Sequence, residues 1–550
     1  MRELVEVFFR ERSIVNHQLA SYNDFLPTED NPDSRMQKVI DSIKVGEGVV
    51  EPGTIKLDIG NIAVKLRKIT VGDPTLGNAI VKEANGSKHL LTPMEARLRN
   101  LTYEAPIYLE AQIVEDGVEK EIEKVHIGNM PIMVRSKLCN IHPANIDKLL
   151  QYYGKHLESD KIKKMGYKDK LIAVGEDPLD PGGYFIVSGS ERVLISLEEL
   201  APNRVMVELT EKYGAKTETA KVFSQKEGYR ALITVERRKD SILVVSIPGA
   251  PVPTSLVVLM KALGMDKDED VRNAIGTDDE LQSIIFANLE DAAEEHSVKS
   301  TEDALILLEK KFASGQAKEY RAKKVESILD RLLLPHLGDT SEARLKKAIF
   351  LGRVARAVLE LALGKRKEDD KDHYANKRVR LAGDLMEDLF RAGMVTLVKD
   401  LKYQLERGYV KKKSIKIASA IRPDVLTQRM FHALATGNWV GGRVGVSQLL
   451  DRTSNMSALS HLRRITSPLT RSQPHFEARD LHPTQWGRLC PNETPEGQNC
   501  GLVKNLALMV DVSEGYSDDE VKKLLAHLKL KPVKSGVVGG RVYVNGDLVG

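Results

Sequence analysis

Cysteine is scarce: Cys139, Cys490 and Cys500 are the only three in a chain of 550 residues. Three thiols cannot staple secreted domains of this size, so a reducing, cytoplasmic setting is expected. Long apolar runs are missing as well. No stretch approaches the roughly 18 apolar residues of a membrane span. Glu3 and Glu6 stand where a secretory signal would carry its apolar core, so no membrane partner is expected. The common signatures of self-contained chemistry are also lacking. There is no Walker loop, no Gly-x-Gly-x-x-Gly opening a helix, no His-Glu-x-x-His and no Cys-x-x-Cys.

What is present is the balance of a folded, globular chain, with 42% hydrophobic and 29% charged residues. The length exceeds what one hydrophobic core supports and predicts three or four domains. A net charge of +4 conceals segregation. Residues 353–416 carry 17 Lys/Arg against 10 Asp/Glu, and 441–505 carry 8 against 5, whereas 266–303 carry 3 against 13. Basic stretches in a near-neutral chain suit a local polyanion surface, and solvated helix faces account for them equally well.

Short strands and turns are expected over 53–66. A helix is expected over 92–101, capped by Thr92 with Glu95 three residues on and Pro93 at its first position. Residues 183–187 and 192–196 flank Ser188-Gly189-Ser190 and predict a hairpin, as do 230–237 and 241–247. The acidic section 266–334 reads as helical, with Leu305, Leu308 and Phe312 at helix spacing. A further helix is predicted over 340–363, with Leu345, Ile349, Leu359 and Ala362 inward and Gly364 ending it. Near the end, Asn545-Gly546 predicts a type I′ turn after 541–544. The returning strand 547–550 is so short that either more chain or another polypeptide is expected to complete it. The fold class is α+β and multidomain, with a loop-rich section from Gly437 dense in Arg, Ser, Thr, His and Pro.

Candidate chemistry is sparse. His461, His475, His482, Cys490 and Cys500 are 14, 7, 8 and 10 residues apart, unlike paired zinc ligands. The acids at 266–270 and 368–372 are interrupted by Lys267 and Lys371 and read as solvated charge rather than a two-metal site. Ser188-Gly189-Ser190-Glu191 lacks the Gly-x-Ser-x-Gly pattern and reads as a turn, not a nucleophile. Arg463, Arg464, Arg471, Arg479 and Arg488 are spaced through polar loops. Such guanidiniums suit phosphates; ion pairs with Asp451, Glu477, Asp480, Glu493 and Glu496 are the equal alternative.

The run SALSHLRRITSPLTR at 457–471, RDLHPTQWGRLCPNETPEG at 479–497 and GLVKN at 501–505 resembles the fork region of the second-largest subunit of multisubunit RNA polymerases. LTPMEARLRNLTY at 91–103, IGNMPIMVRSKLC at 127–139 and GGYFIVSGSERVLI at 182–195 resemble that family's protrusion. YANKRVRLAG at 374–383 resembles the segment that returns to it. The resemblance spans nearly the whole chain in the family's order. The family subunit is about twice as long, so the chain looks like the N-terminal piece, B″, of archaeal enzymes whose B subunit is divided; a fragment of an undivided subunit is the alternative.

The resemblance implies a protrusion at 1–200, a lobe at 201–335, a return to the protrusion at 336–415, a fork at 416–508 and the start of an external domain at 509–550. It implies no catalytic residue and no metal or other cofactor on this chain, with Mg2+ held by the largest subunit. The implied partners are the C-terminal half B′, the largest-subunit chains and other polymerase subunits, template DNA and RNA, and general transcription factors. Isolated, the chain is expected to be inactive. Arg463, Arg464 and Arg471 are implied to lie near the RNA–DNA hybrid and the fork. Gln448, Asp451 and His461 match the strip that lines the rifampicin pocket in bacterial relatives, although Leu462, Thr466 and Pro468 depart from the bacterial pattern. Arg479 and Glu496 match fork residues coupled to the mobile trigger loop, and their opposite charges suggest a direct pair. A self-contained nucleotidyltransferase would need a magnesium-binding carboxylate loop, for which only 266–270 has the spacing. A scaffold protein would explain the charge segregation but not five family segments in order.

Overall fold

The computed structural model describes residues 2–46, 50–72, 80–82, 84, 86, 88–153, 164–212, 214–226, 228–315, 317–411, 416–513, 515–531 and 540–550. Lys412 and Lys413 of the basic stretch lie outside these residues. The chain divides into two compact units, one of Met1–Glu199 with Arg378–Ser513 and one of Leu200–Lys377 with Glu514–Gly550. Helices and several sheets are mixed in both, the expected α+β class. Among the described residues no helix is long and apolar enough to cross a membrane.

The first unit is built on a five-stranded sheet in the order Lys44–Val45, Thr54–Lys56, Ile62–Val71, Glu104–Glu115, Val118–Pro131. In Glu104–Glu115 the alternate residues Ala105, Ile107, Leu109, Ala111 and Ile113 are buried, the period of a strand with one face on a core. The 29-residue helix Ala382–Val410 buries Leu385, Met386, Leu389, Phe390, Gly393, Met394, Leu397, Val398, Leu401 and Leu405, the three-and-four spacing of one apolar stripe. Helix Asn16–Phe25 lies against it, and the Phe25 and Phe390 ring centroids are 6.1 Å apart. The approach is close because residue 383 is glycine: a Cβ there would sit 2.0 Å from the Ser21 carbonyl oxygen.

Two sequence-level signals in this unit have the expected outcome. Helix Pro93–Leu98 is capped by Thr92, whose hydroxyl accepts from the Glu95 amide at 3.0 Å. Strands Phe185–Val187 and Ser190–Leu194 pair through a turn with Ser188 at φ 48° and Gly189 at φ 75°, a hairpin and not a nucleophile turn.

The second unit has an antiparallel sheet of Val205–Lys212, Ala215–Lys226, Tyr229–Arg237, Leu243–Ser246 and Thr254–Ser255. Helix Leu256–Ala262 is buried along its whole length, and the acidic section is helical, with Leu308 and Phe312 in the core. Its acids serve the fold: Asp266 accepts from the Thr301 amide at 2.8 Å, and Asp268 pairs with the buried Lys261 at 2.8 Å.

Helix Arg344–Ala362 ends before Gly364 at φ 71°, as expected, and Leu359 is buried as expected, but the rest of its inner face differs. Leu345 is 52% exposed and Ile349 and Ala362 are half-buried, whereas Ala348, Phe350, Leu351, Val354, Ala355 and Val358 are buried. The helix is enclosed on two sides, so small residues are buried that a single stripe of large apolar residues does not predict. Gly352 marks the second side: a Cβ there would lie 2.7 Å from the Ala274 carbonyl oxygen. The hairpin Tyr543–Val544 with Asp547–Leu548 forms through Asn545 at φ 46° and Gly546 at φ 89°. It docks on this helix, with Arg353 stacked 4.5 Å over Tyr543 and a Cβ on Gly546 falling 2.7 Å from the Phe350 ring.

Candidate nucleic-acid interface

The loop-rich section of the first unit begins where helix Asp424–Thr436 stops at Gly437. That residue has φ 79°, and a Cβ on it would lie 2.6 Å from the Ser447 carbonyl oxygen, so only glycine lets the chain turn back this tightly. Strand Ser447–Leu449 then pairs with Ser190–Leu194 of the hairpin. Helix Asn455–Leu462 follows, capped by Ser454, whose hydroxyl accepts from the Ser457 amide at 3.1 Å. Strand Arg464–Thr466 runs parallel to Ser196–Leu200 and antiparallel to Val503–Asn505. Beneath it, Lys504 pairs with Glu198 at 3.2 Å, both side chains less than a tenth exposed. Removing either partner of such a buried pair costs about 3–5 kcal/mol.

Gln448, Asp451 and His461 form one hydrogen-bonded cluster. The Asp451 amide donates to His461 Nδ1 at 3.1 Å, which leaves the proton on Nε2 to be donated to Gln448 Oε1 at 3.1 Å. Gln448 Nε2 in turn donates to the Gly445 carbonyl at 3.0 Å. The Asp451 carboxylate accepts from the Ser457 hydroxyl and from the Thr453 amide at 2.9 Å. These bonds, Ser457 first, hold its carboxyl well below the usual range. Burial, reinforced by the positive charge of Arg464, lowers the His461 pKa from 6.5 to about 4, so the imidazole is neutral near pH 7.

The arginines divide by partner. Arg463 is 7% exposed and donates to the carbonyls of Ile14, Ala507 and Leu508. It turns inward and ties its own segment to Ile14, 449 residues away along the chain. Arg464, the first residue of the strand, is half-buried and Arg471 is exposed; neither side chain makes a hydrogen bond or ion pair with a described residue. Arg488 is exposed and bonds only the Thr484 carbonyl at 3.0 Å.

Arg479 does not pair with Glu496. Its guanidinium donates to the carbonyls of Gln498 and Cys500, each at 2.8 Å, and of Arg471 and Gln473 at 3.2 and 3.4 Å. Four main-chain acceptors take the donors that a carboxylate would have used, and Glu496 is left exposed. Gly501 permits this brace: its φ is +72°, and a Cβ would lie 2.4 Å from the Arg479 carbonyl oxygen.

Of the other paired acids that the sequence offered, Glu493 accepts from the Ser460 hydroxyl instead of an arginine. Among the described residues no three His, Cys, Asp or Glu side chains gather as a metal site. The surface also presents Met456, Phe476, Leu481 and Trp486, each at least 62% exposed. The arrangement offers uncommitted positive charge on loops fixed by main-chain hydrogen bonds, which suits holding phosphates in place without reading bases.

Sequence reasoning missed the ion network on the neighbouring hairpin. Arg97 and Arg452 share the Glu191 carboxylate, with Asp180, Glu176 and Tyr184 around them. Only the charged residues inside otherwise apolar motifs, such as Arg97 and Glu191, hinted at it.

Comparison with known proteins places these features in a family. Residues 13–162 match a model described as RNA polymerase beta subunit, 201–380 one described as RNA polymerase Rpb2, domain 2, and 448–512 one described as RNA polymerase Rpb2, domain 3. The chain is 49% identical over 530 residues to the DNA-directed RNA polymerase subunit Rpo2N of Methanocaldococcus jannaschii, covering 96% of this chain and 98% of that one. It is 45% identical to Rpo2N of Halobacterium salinarum, covering 97% and 96%. To subunit Rpo2 of Saccharolobus shibatae it is 46% identical, covering all of this chain and 46% of the relative.

Proposed function

Because the chain belongs to the second-largest, Rpb2-type subunit family of DNA-directed RNA polymerases, matching the N-terminal half of the subunit where it is divided, we propose that it works as follows. Its two units line one wall of the DNA cleft, and section 416–508 is the fork beside the RNA–DNA hybrid. The chain contributes shape and fixed positive charge. The magnesium and the chemistry of nucleotide addition belong to the largest subunit, so this chain alone extends no RNA. Its partners are the C-terminal half of the same subunit, the largest-subunit chains, template DNA, RNA and general transcription factors.

The observation that carries this reading is the opposite use of two adjacent arginines. Arg463 is spent on three carbonyls inside the unit, and Arg464 is held beside it with its donors free. Arg471 adds a second uncommitted guanidinium. The Gln448, Asp451 and His461 cluster sets the loop ahead of Arg464, and Arg479 sets the loop behind Arg471. Glu496 remains an exposed carboxylate available to a moving segment of a partner chain.

The test is a polymerase reconstituted with Arg464→Ala and assembled on an RNA–DNA scaffold. Subunit stoichiometry is expected to match wild type, the complex to dissociate faster, and the salt dependence to lose about one unit of slope, the contribution of one phosphate contact. Loss of assembly to the same degree as loss of nucleic-acid binding would make Arg464 a structural residue and overturn the assignment.

A further inference from the structure

We propose that Glu191 is a positioning residue for the nucleic-acid face, acting by clamping the Asp451 turn to the body of the first unit through Arg452 and Arg97. The inference rests on the reading of 416–508 as that face. Glu191 grips the turn twice. Its main-chain carbonyl accepts from the Leu450 amide at 3.0 Å, and its carboxylate accepts from Arg452 Nε at 2.6 Å and Nη2 at 2.8 Å. This two-toothed arrangement fixes direction as well as distance. The same carboxylate accepts from Arg97 Nε at 2.8 Å, at the end of helix Pro93–Leu98.

Arg97 is anchored more deeply. It faces Asp180 at 3.4 Å and the almost fully buried Glu176 at 3.5 Å, and it donates to the Tyr184 hydroxyl. Glu176 accepts from the Met94 amide at 2.6 Å, which ties the network back to the first turn of the same helix. Both guanidiniums stack on the Tyr184 ring, Arg452 at 5.1 Å and Arg97 at 5.8 Å. Three carboxylates, two guanidiniums and one phenol thus connect four stretches of chain.

Simple fastening of the fold would need no such convergence on one turn. Arg452 is the residue after Asp451, and the Asp451 amide orients His461, which lies three residues before Arg464. Loss of the Glu191 charge leaves Arg452 only Asp180 at 3.7 Å and the Tyr184 ring and allows the Asp451 turn to shift, so Arg464 and the loop around it are presented less uniformly. The main-chain pairing of the hairpin remains, which separates a positioning role from a folding one.

The experiment uses the reconstituted polymerase on an RNA–DNA scaffold with Glu191→Gln, Arg464→Ala and the double variant. For Glu191→Gln the expected result is normal subunit stoichiometry, a complex lifetime shortened about fivefold, and less than additive loss in the double variant because both act on one face. Equal and additive losses, or a shortened lifetime only in step with lost assembly, would overturn the proposal. If Glu191→Gln does not assemble, Arg452→Gln, at a partly exposed position, decides: a lifetime equal to wild type would overturn it. An unchanged lifetime for Arg464→Ala would instead defeat the reading of the face. A shortened lifetime for Arg464→Ala with none for Glu191→Gln would defeat this inference alone.

Discussion

Arg463 and Arg464 show how little a residue's type decides about its task. Both are arginines in a polar section, yet one is sealed against three carbonyls and the other is left with its donors free. The difference arises at a junction: Arg463 ends the helix Asn455–Leu462, whereas Arg464 opens the strand that follows it. His461 is the second case. Its pKa of about 4 lies below the ordinary 6.5, so the folded chain disfavours the proton more than the unfolded chain does. Its contribution to stability is therefore complete above pH 6.5 and declines as the pH falls from 6.5 toward 4, by a total on the order of 3 kcal/mol. His17, buried against Arg463, is lowered to about 4 as well and adds to the same acid window. An NMR titration of the labelled imidazole should place the His461 midpoint near 4, with Nδ1 unprotonated; a midpoint near 6.5 would contradict the cluster.

Among the elements, helix Ala382–Val410 contains two glycines with opposite expectations. Gly383 meets helix Asn16–Phe25 so closely that its amide donates to the Ser21 hydroxyl at 3.0 Å, and no Cβ fits. Gly383→Ala should therefore force the helices apart and lower stability by about 1–3 kcal/mol, the range of overpacked core changes. Gly408, near the other end, has nothing within 4 Å of the same position. Gly408→Ala should raise stability by about 0.5–1 kcal/mol by removing backbone freedom from the unfolded chain. Thermal unfolding of the two variants checks both signs, and equal shifts would show that the close approach does not constrain this helix. The loop at Arg479 follows the same rule: Gly501 has no room for a Cβ, so the brace on the Gln498 and Cys500 carbonyls depends on a glycine there.

For the whole molecule, the relevant fact is coverage. The chain aligns along nearly all of subunit Rpo2N of Methanocaldococcus jannaschii and along 46% of Rpo2 of Saccharolobus shibatae. Large apolar side chains also stand exposed on it, Trp486 at 84% and Phe476 at 74% among them. Native purification from its own cells should therefore recover a second B-type chain of similar size together with the larger polymerase subunits, identified by mass. Recovery of the chain alone would count against a role inside an assembly.

The sequence by itself determined the local chemistry. Thr92 caps its helix, Ser188-Gly189 and Asn545-Gly546 make hairpins, Gly364 ends a helix, and the ordered motifs carry the family, because each signal depends on residues within a few positions of one another. It also named the members of the Gln448, Asp451 and His461 cluster, which lie within 14 positions along the chain. Tertiary structure decided the rest. The inward turn of Arg463 depends on carbonyls at Ile14 and Ala507, the inner face of Arg344–Ala362 on burial from two sides, and the commitment of Arg479 to main-chain carbonyls on how two loops meet. The Glu191 clamp joins residues from 97 to 452. Spacing along the chain carries no information about such partners, because burial and hydrogen-bond satisfaction are settled only when distant segments are packed together.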